Sequence, residues 1–408
     1  MLFDKFVRET VSWWNRYLAW IADQQKSGNL DSKGRTVLFP NILLVIEVKG
    51  FLIAELIGAR KEFTRLTVKR HKEKSIYRYL SQFDDDVPDP LIHLNSAYNG
   101  FRFICLAQEA DFEIVKKRFP FIDLFPTKLK RIGGKGSVFS FGENFSSCFV
   151  ENSVLINRRE NIYRCKNILE LFIVNKRITK RELISLFEYA TKENEVKGVH
   201  TVSKGREESL IVGGHLQSMY LFPGLRETTI GEFIQSHPET VKNAFKTSHF
   251  VYEPYLEWLE HDGTVDDEAI NPDLMVKRDD GFYDIYDLKT AALEKSSIVK
   301  GKRKRRRFID YVEEGVAQLA NYREYFKYPK NRALAKDKYG IEIDNPKLVL
   351  IVGNWENTDL MEIDQACRRY NDINIIDFDT FAHLFLGTEE ANIFLGTEEA
   401  NIANAADS

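Results

Sequence analysis

Cysteine is scarce in this chain and never grouped. Cys105, Cys148, Cys165 and Cys367 stand far apart with no C-x-x-C pair among them, which excludes a thiolate zinc site and fits buried thiols in a reducing compartment. The eight histidines are scattered singly, so an ordinary structural role is the simpler reading of each. Long apolar runs are missing as well. The longest, ILLVIEV from Ile42, carries Glu47 and is too short to cross a bilayer. The amino terminus lacks the uninterrupted apolar centre and small-residue cleavage site of a secretory signal. A cytoplasmic protein with no membrane partner is the expectation. A positive charge balance is absent too: 58 Lys and Arg against 61 Asp and Glu give a formal net charge of -3, so any nucleic-acid surface must be local. The aromatic stacking motifs of RNA-binding sheets are not evident.

What is present suits a globular protein of two or three domains: 408 residues, 43% apolar and 12% aromatic. The first segment, 1–135, opens with an amphipathic helix whose Phe6, Val7, Val11, Trp14, Leu18 and Ile21 recur near helical spacing. Next come a strand NILLVIEVKGFLIAEL, a basic helical stretch RKEFTRLTVKRHKEK from Arg60, and a strand GFRFICLA from Gly100. The Gly-Lys-rich joint RIGGKGS from Arg131 separates this unit from a middle region, 136–225, whose one clear element is the helix RELISLFEYATKEN. From 226 to 386 the expected order is helix, strand, hairpin, helix, strand, a mixed sheet flanked by helices. KLVLIVG from Lys347 has the continuous apolar character of a doubly covered strand. The string FLGTEEANI occurs at Phe385 and again at Phe394. That duplication fits no solenoid period, and 387–408 is expected to be a disordered tail.

The most informative stretch is NPDLMVKRDDGFYDIYDLKT, from Asn271. Asp279-Asp280-Gly281 suits a three-residue hairpin loop whose last residue turns left-handed, as glycine does readily. Arg278 then faces Phe282, and counting outward pairs Asp273 with Asp287, their Cβ atoms about 4.5–5.5 Å apart. Lys289 lies two residues beyond Asp287 on the same face. Like charges directly opposite each other destabilise a sheet. A divalent cation between them turns repulsion into coordination; the other reading is a surface hairpin carrying weak ion pairs.

Pro272-Asp273 followed by Asp287-Leu288-Lys289 resembles the PD-(D/E)xK nuclease motif. Gln318-Leu319-Ala320-Asn321-Tyr322 resembles the Q-x-x-x-Y found on the next helix in RecB-like exonucleases. Together with the helix GEFIQSHPE and a long upstream region, residues 226–386 look most like the Shedu anti-phage nucleases, with Asp287 where those have Glu more often. The resemblance implies an α/β fold: a restriction-endonuclease-like mixed-sheet core behind N-terminal α+β sensor regions. It also implies Mg²⁺-dependent hydrolysis of double-stranded phage DNA, Mn²⁺ being an alternative, in a homo-oligomer with a tetramer as the favoured form. Asp273, Asp287 and the Leu288 carbonyl are the implied metal ligands, and Lys289 serves the attacking water and the transition state.

Gln318 and Tyr322, one helical turn apart, are expected to hold the lysine, the metal's surroundings or a phosphate, or else to be a core tyrosine and its solvated neighbour. Glu232 matches the carboxylate that the superfamily often supplies from the preceding helix, but Thr229-Ile230-Gly231-Glu232 also reads as a capping box. The basic run Lys300, Lys302, Arg303, Lys304, Arg305, Arg306 and Arg307 is read as phosphate-contacting, against a solvated loop or a targeting tag. The stretch from Arg60 to Lys74 is a second candidate DNA surface or an exposed helix face. A second E-x-K, Glu47-Val48-Lys49, has no partner acid at hairpin distance and reads as a sheet pair. Two rival functions stay open, a DNA-binding scaffold with a non-hydrolytic core and an RNA-cleaving effector.

Overall fold

A computed structural model describes residues 1–32, 34–80, 99–102, 105–107, 129–131, 141, 145–159, 162–192, 196–202, 207–222, 226–264, 267–302, 305–370 and 373–386. The expected tail over 387–408 and most of the joint at 131–137 lie outside them. The chain divides into two compact units, Met1–Asn157 with Cys165–Ser218, and Arg158–Arg164 with Met219–Thr388. Among the described residues no helix is long and apolar enough to cross a membrane.

The first unit holds β1 (Thr36–Leu38), β2 (Ile42–Val48), β3 (Phe51–Ile57), β4 (Thr67–Lys72), β5 (Asn99–Arg102), β6 (Cys105–Ala107) and β7 (Leu129–Arg131). With them go β8 (Ser147–Arg159), β9 (Ile162–Asn175) and β10 (His200–Val202). A large sheet runs β4-β2-β3-β9-β8-β6-β7, with β5 paired to β8. The helix Phe3–Lys26 buries Phe6, Val7, Trp14, Leu18 and Ile21, the stripe that helical spacing predicts, while Val11 is only partly buried. The helix Lys180–Ala190 adds Leu183, Leu186, Phe187 and Ala190 to the same core, and Trp14 meets Phe172 and Phe187 with ring centroids 5.5 and 5.8 Å apart.

Three expectations for this unit are corrected. NILLVIEVKGFLIAEL is an antiparallel hairpin, β2 and β3, turning at Lys49-Gly50 with Gly50 at φ +82°; strands covered on both faces give no polar alternation to reveal the turn. The basic stretch from Arg60 contains β4, which extends β2 in parallel along the sheet edge. Its charges belong to the strand's wet side. The boundary near 135 is absent, because β9 pairs with β3 from Phe51↔Asn175 to Leu56↔Glu170 and draws the middle region into the first unit's sheet.

In the second unit the helices Glu227–Ser236 and Glu239–Phe245 flank the expected break at Pro238. Its strands are β11 (Phe250–Tyr252), β12 (Leu256–Glu257), β13 (Ala269–Ile270), β14 (Leu274–Lys277), β15 (Tyr283–Leu288), β16 (Val299–Lys300), β17 (Arg307–Phe308), β18 (Leu348–Ile351) and β19 (Ile373–Ile376). The main sheet is mixed, in the order β11-β14-β15-β18-β19. β11 and β14 precede β15 in antiparallel pairing; β18 and β19 follow in parallel. Every residue of β18 is buried, as its apolar run predicts. The helix Asp310–Tyr325 connects β17 to the later elements and packs on β15 and β18 through Val312, Val316, Leu319 and Tyr322. This is the α/β mixed-sheet core that the sequence implies.

The hairpin register is also the expected one. Leu274 faces Tyr286 and Lys277 faces Tyr283, and Arg278 N–H donates to the Phe282 carbonyl at 2.7 Å. Gly281 closes the loop at φ +93°, and no atom lies within 4 Å of where its Cβ would be. Replacing it therefore tests backbone conformation alone. Gly281→Ala should lower unfolding stability by about 1 kcal/mol, read as a shift in the denaturant midpoint; an unchanged midpoint would show that the loop tolerates another turn type.

Candidate active site

The β14–β15 ladder ends at Leu274, two residues after Pro272, which has no N–H to donate. Beyond that point the Asp273 carboxylate substitutes for the ladder: the Leu288 N–H donates to its Oδ2 at 2.6 Å. Continuing the register places Asp273 opposite Asp287 at the end of a strand whose six residues are all buried. Two aspartates on β15 are thus withdrawn from water, with different outcomes. Asp284 is satisfied by Arg278 at 3.1 Å and by the Lys347 N–H at 2.8 Å. Asp287, 2% exposed, has Lys289 Nζ 3.1 Å from its Oδ2, yet that oxygen receives no hydrogen bond.

Burial raises the pKa of both Asp273 and Asp287 above the ordinary carboxylate range, and in Asp287 the facing Asp273 adds to it. Lys289 moves up as well: burial opposes its charge, but Asp287 and Glu227 outweigh that and hold it as an ammonium. Its backbone N–H is anchored on the Ile351 carbonyl of β18 at 2.9 Å.

The carboxylate that reaches this cluster from the preceding helix is Glu227, whose Oε2 stands 3.6 Å from Lys289 Nζ. Glu232, the residue named from the sequence, is exposed on the second turn. Neither expected role is seen for it. The helix starts at Glu227 after Arg226, so Thr229 is already inside it and no capping box forms. Glu227 Oε1 in turn accepts from the Tyr311 hydroxyl at 2.6 Å, and Tyr311 is tied to Thr290. Glu227, Tyr311 and Thr290 were missed by sequence reasoning. Glu227 had a signal, being the first acid of the helix; Tyr311 and Thr290 had none beyond adjacency to the helix start and to Lys289.

The Asp310–Tyr325 helix supplies the remaining wall. Tyr322 donates to the Asn271 carbonyl at 3.4 Å, and burial together with Asp287 and Asp273 raises its phenol pKa. Gln318 Oε1 is buried with no hydrogen-bond partner. Tyr322 and the hairpin acids thus belong to one neighbourhood, and Gln318, one helical turn earlier, shares the helix face of Tyr322. Gly315 lets the helix approach closely: a Cβ there would lie 2.9 Å from Leu350 Cδ1 and 3.2 Å from both Asp287 Oδ2 and Lys289 Cε.

The basic run is divided. Lys302, Arg305 and Arg307 are exposed, while Arg303 and Lys304 lie outside the described residues. Lys300 is paired with Asp310. Arg306 is half-buried against Glu362 and Gln365, so its guanidinium is held inside the fold rather than offered to a phosphate. The second E-x-K is a sheet pairing as expected, with Glu47 held by Lys176 at 3.0 Å and Lys72 at 3.4 Å and Lys49 exposed in the turn.

Among the described residues no group of three or more His, Cys, Asp or Glu side chains is arranged to hold a metal. The Asp273–Asp287 pair nevertheless fits a hard divalent cation, which binds through one or two carboxylates and completes its shell with water and phosphate. Against the single positive charge of Lys289, Asp273, Asp287 and Glu227, with Glu253 acting on Asp273, leave an excess of negative charge that such an ion would offset. The Asp287 oxygen that lacks a hydrogen bond is the donor it would use.

A mixed sheet with two acids facing across a hairpin, a lysine two residues further on and a Q-x-x-x-Y helix beside it is the arrangement of a PD-(D/E)xK-type core. Residues 224–382 match the family model described as Shedu protein SduA, C-terminal, and the Shedu resemblance holds for that part of the chain. No curated protein sequence matches. Among solved structures, a repair endonuclease from Pyrococcus abyssi aligns with 60% of this chain and 69% of its own at 11% identity and a TM-score of 0.17. An EndoMS–dsDNA complex aligns with 60% of this chain and 70% of its own at 12% identity and a TM-score of 0.16. At those TM-scores neither superposition carries an argument.

Because a Cβ at Gly315 would crowd the core and the acid pair together, Gly315→Ala should cost about 1–3 kcal/mol of stability, measured by denaturant unfolding. Loss below a few tenths would mean that the helix has room to retreat.

Proposed function

We propose that this chain is a metal-dependent DNA endonuclease of anti-phage defence. Its first unit senses phage DNA or DNA ends and gates cleavage by the second. The observation that carries the reading is the convergence of Asp273, Asp287 and Lys289 at one buried strand end, beneath Gln318 and Tyr322. Asp273 and Asp287 would hold Mg²⁺, or Mn²⁺ in its place, with the Leu288 carbonyl as a further ligand; the ion would supply charge against the phosphodiester and acidify a bound water.

The protein's own residues do the rest. Lys289, 3.1 Å from Asp287, stabilises negative charge on the phosphorane and positions or activates the attacking water. Gln318 presents its buried amide to the same neighbourhood. Lys302, Arg305 and Arg307, exposed on and beside the small β16–β17 hairpin, contribute local phosphate contacts to a chain with no overall positive charge. Membership of a Shedu-type family favours a homo-oligomer, with a tetramer as the leading form.

The decisive experiment incubates supercoiled and linear DNA, with single-stranded RNA in parallel, with wild type and Lys289→Ala in Mg²⁺, Mn²⁺ and EDTA. DNA strand breaks are expected from wild type with either metal, lost in EDTA and reduced at least about a hundredfold by Lys289→Ala. Binding without breakage would leave a scaffold, and breakage of RNA alone would replace the substrate.

The raised carboxylates add a pH test that needs no substrate. In the folded protein Asp273 and Asp287 take up protons above the ordinary aspartate value of about 3.9, so the unbound pair destabilises the fold as pH rises through that window. A metal competes with those protons. Millimolar Mg²⁺ or Mn²⁺ should therefore raise the melting temperature clearly at pH 8 and much less at pH 5. An equal rise at both would remove this pair as the metal site.

A further inference from the structure

Tyr311 has more to do than close a helix. It lies in the first turn of the Asp310–Tyr325 helix, and its hydroxyl meets three groups: Glu227 Oε1 at 2.6 Å, the Thr290 N–H at 2.7 Å and Thr290 Oγ1 at 3.0 Å. A phenol has one hydrogen to give and two lone pairs to fill. The shorter contact is to a carboxylate, where a charge-assisted bond is the stronger one, so the hydrogen goes to Glu227. Both Thr290 groups, N–H and O–H, then donate to the phenol oxygen. Every site on Tyr311 is used, and its direction is fixed: it donates to Glu227.

The consequence falls on Lys289. With Oε1 occupied by Tyr311, Glu227 turns Oε2 toward the ammonium at 3.6 Å, while Asp287 holds it at 3.1 Å from the strand itself. Glu227 is the more exposed of the two carboxylates, its side chain 42% accessible, and an exposed glutamate has little reason to keep one rotamer for an ion pair alone. The tyrosine supplies that reason. Thr290, next in sequence to Lys289, is fixed to the same strand end, where its carbonyl accepts from the Gly353 N–H at 3.4 Å.

We propose that Tyr311, anchored by Thr290, is a positioning residue for the reaction: by engaging one oxygen of Glu227 it presents the other to Lys289 and sets where the ammonium stands relative to Asp287. This rests on the nuclease reading above. Tyr311 and Thr290 carry no charge and touch neither Asp273 nor Asp287 in these bonds, so replacing either acts on the lysine's place and leaves the acid pair's affinity for an ion largely alone, whereas the charge of Glu227 reaches both acids.

The test is a double-mutant cycle on the full-length protein, read by single-turnover cleavage of supercoiled DNA and, separately, by Mn²⁺ titration calorimetry without DNA. Tyr311→Phe should slow cleavage about 10–100-fold while Mn²⁺ affinity stays within about threefold of wild type. In a Glu227→Gln background the same substitution should add less than about twofold, since the two residues act as one unit. Thr290→Val, which keeps the N–H and removes the hydroxyl, should lose part of the rate, and Thr290→Ser should regain most of that loss. Equal losses in both Glu227 backgrounds, or a fall in Mn²⁺ affinity parallel to the rate, would overturn the assignment and leave Tyr311 a packing residue. If Tyr311→Phe does not fold, the Thr290→Val and Glu227→Gln pair completes the same cycle. A wild type that cleaves nothing ends the nuclease reading and this one with it, whereas active wild type with fully active Tyr311→Phe ends only this one.

Discussion

A buried carboxylate, Asp287, facing the half-buried Asp273 is the constraint around which the second unit is organised. In an exposed hairpin Asp273 and Asp287 would simply turn outward into solvent. Here β15 is covered along its whole length, and that escape is closed. Desolvation and mutual repulsion both favour the protonated forms, so ionisation at neutral pH depends on whatever positive charge is close by. Lys289 supplies one such charge and is itself buried. The cluster is costly as it stands, and a cation bound between the acids would offset that cost.

The surrounding fold keeps this cluster in place by steric and backbone means. β18, parallel to β15, fixes the lysine's main chain through Ile351. Gly315 lets the helix lie close enough that Asp287, Lys289 and Leu350 form its nearest neighbours. At the other end Pro272 stops the ladder, and the freed carboxylate of Asp273 takes the Leu288 N–H. Gly315 and Pro272 act through a missing side chain and a missing N–H, and Ile351 through its carbonyl, so the site's geometry comes from main-chain placement more than from networks of polar side chains. The Glu227–Tyr311–Thr290 chain is the exception.

The hairpin was legible because its information is local: loop length sets register, register sets face, and the observed pairing follows the count made from Asp279-Asp280-Gly281. The Asp310–Tyr325 helix and β18 were legible for a similar reason, since burial leaves an apolar period in the sequence. Glu227 was not, because the helix has no side-chain cap at Arg226, while Thr229 and Glu232 imitate a capping box three residues too late. Local pattern singled out Glu232, and only the tertiary approach of the helix to Lys289 brings in Glu227. The upstream errors arose differently. A strand buried on both faces hid the turn at Gly50, and the charges of β4 imitated a basic helix although the strand lies at a sheet edge. The partition of the basic run, with Arg306 committed to Glu362, depends on the later helix Leu360–Cys367, which the run itself does not announce.

The three-residue loop at Gly281 also sets a rule about tolerable sequence change. Side chains along β15 alternate between faces, so a single codon gained or lost between Asp279 and Gly281 would transpose the strand by one step, sending Asp287 and Lys289 to the reverse side of the sheet and bringing Tyr286 and Leu288 into their place. The count of residues between the two acids therefore constrains this hairpin more strictly than the identity of the residues that make its loop.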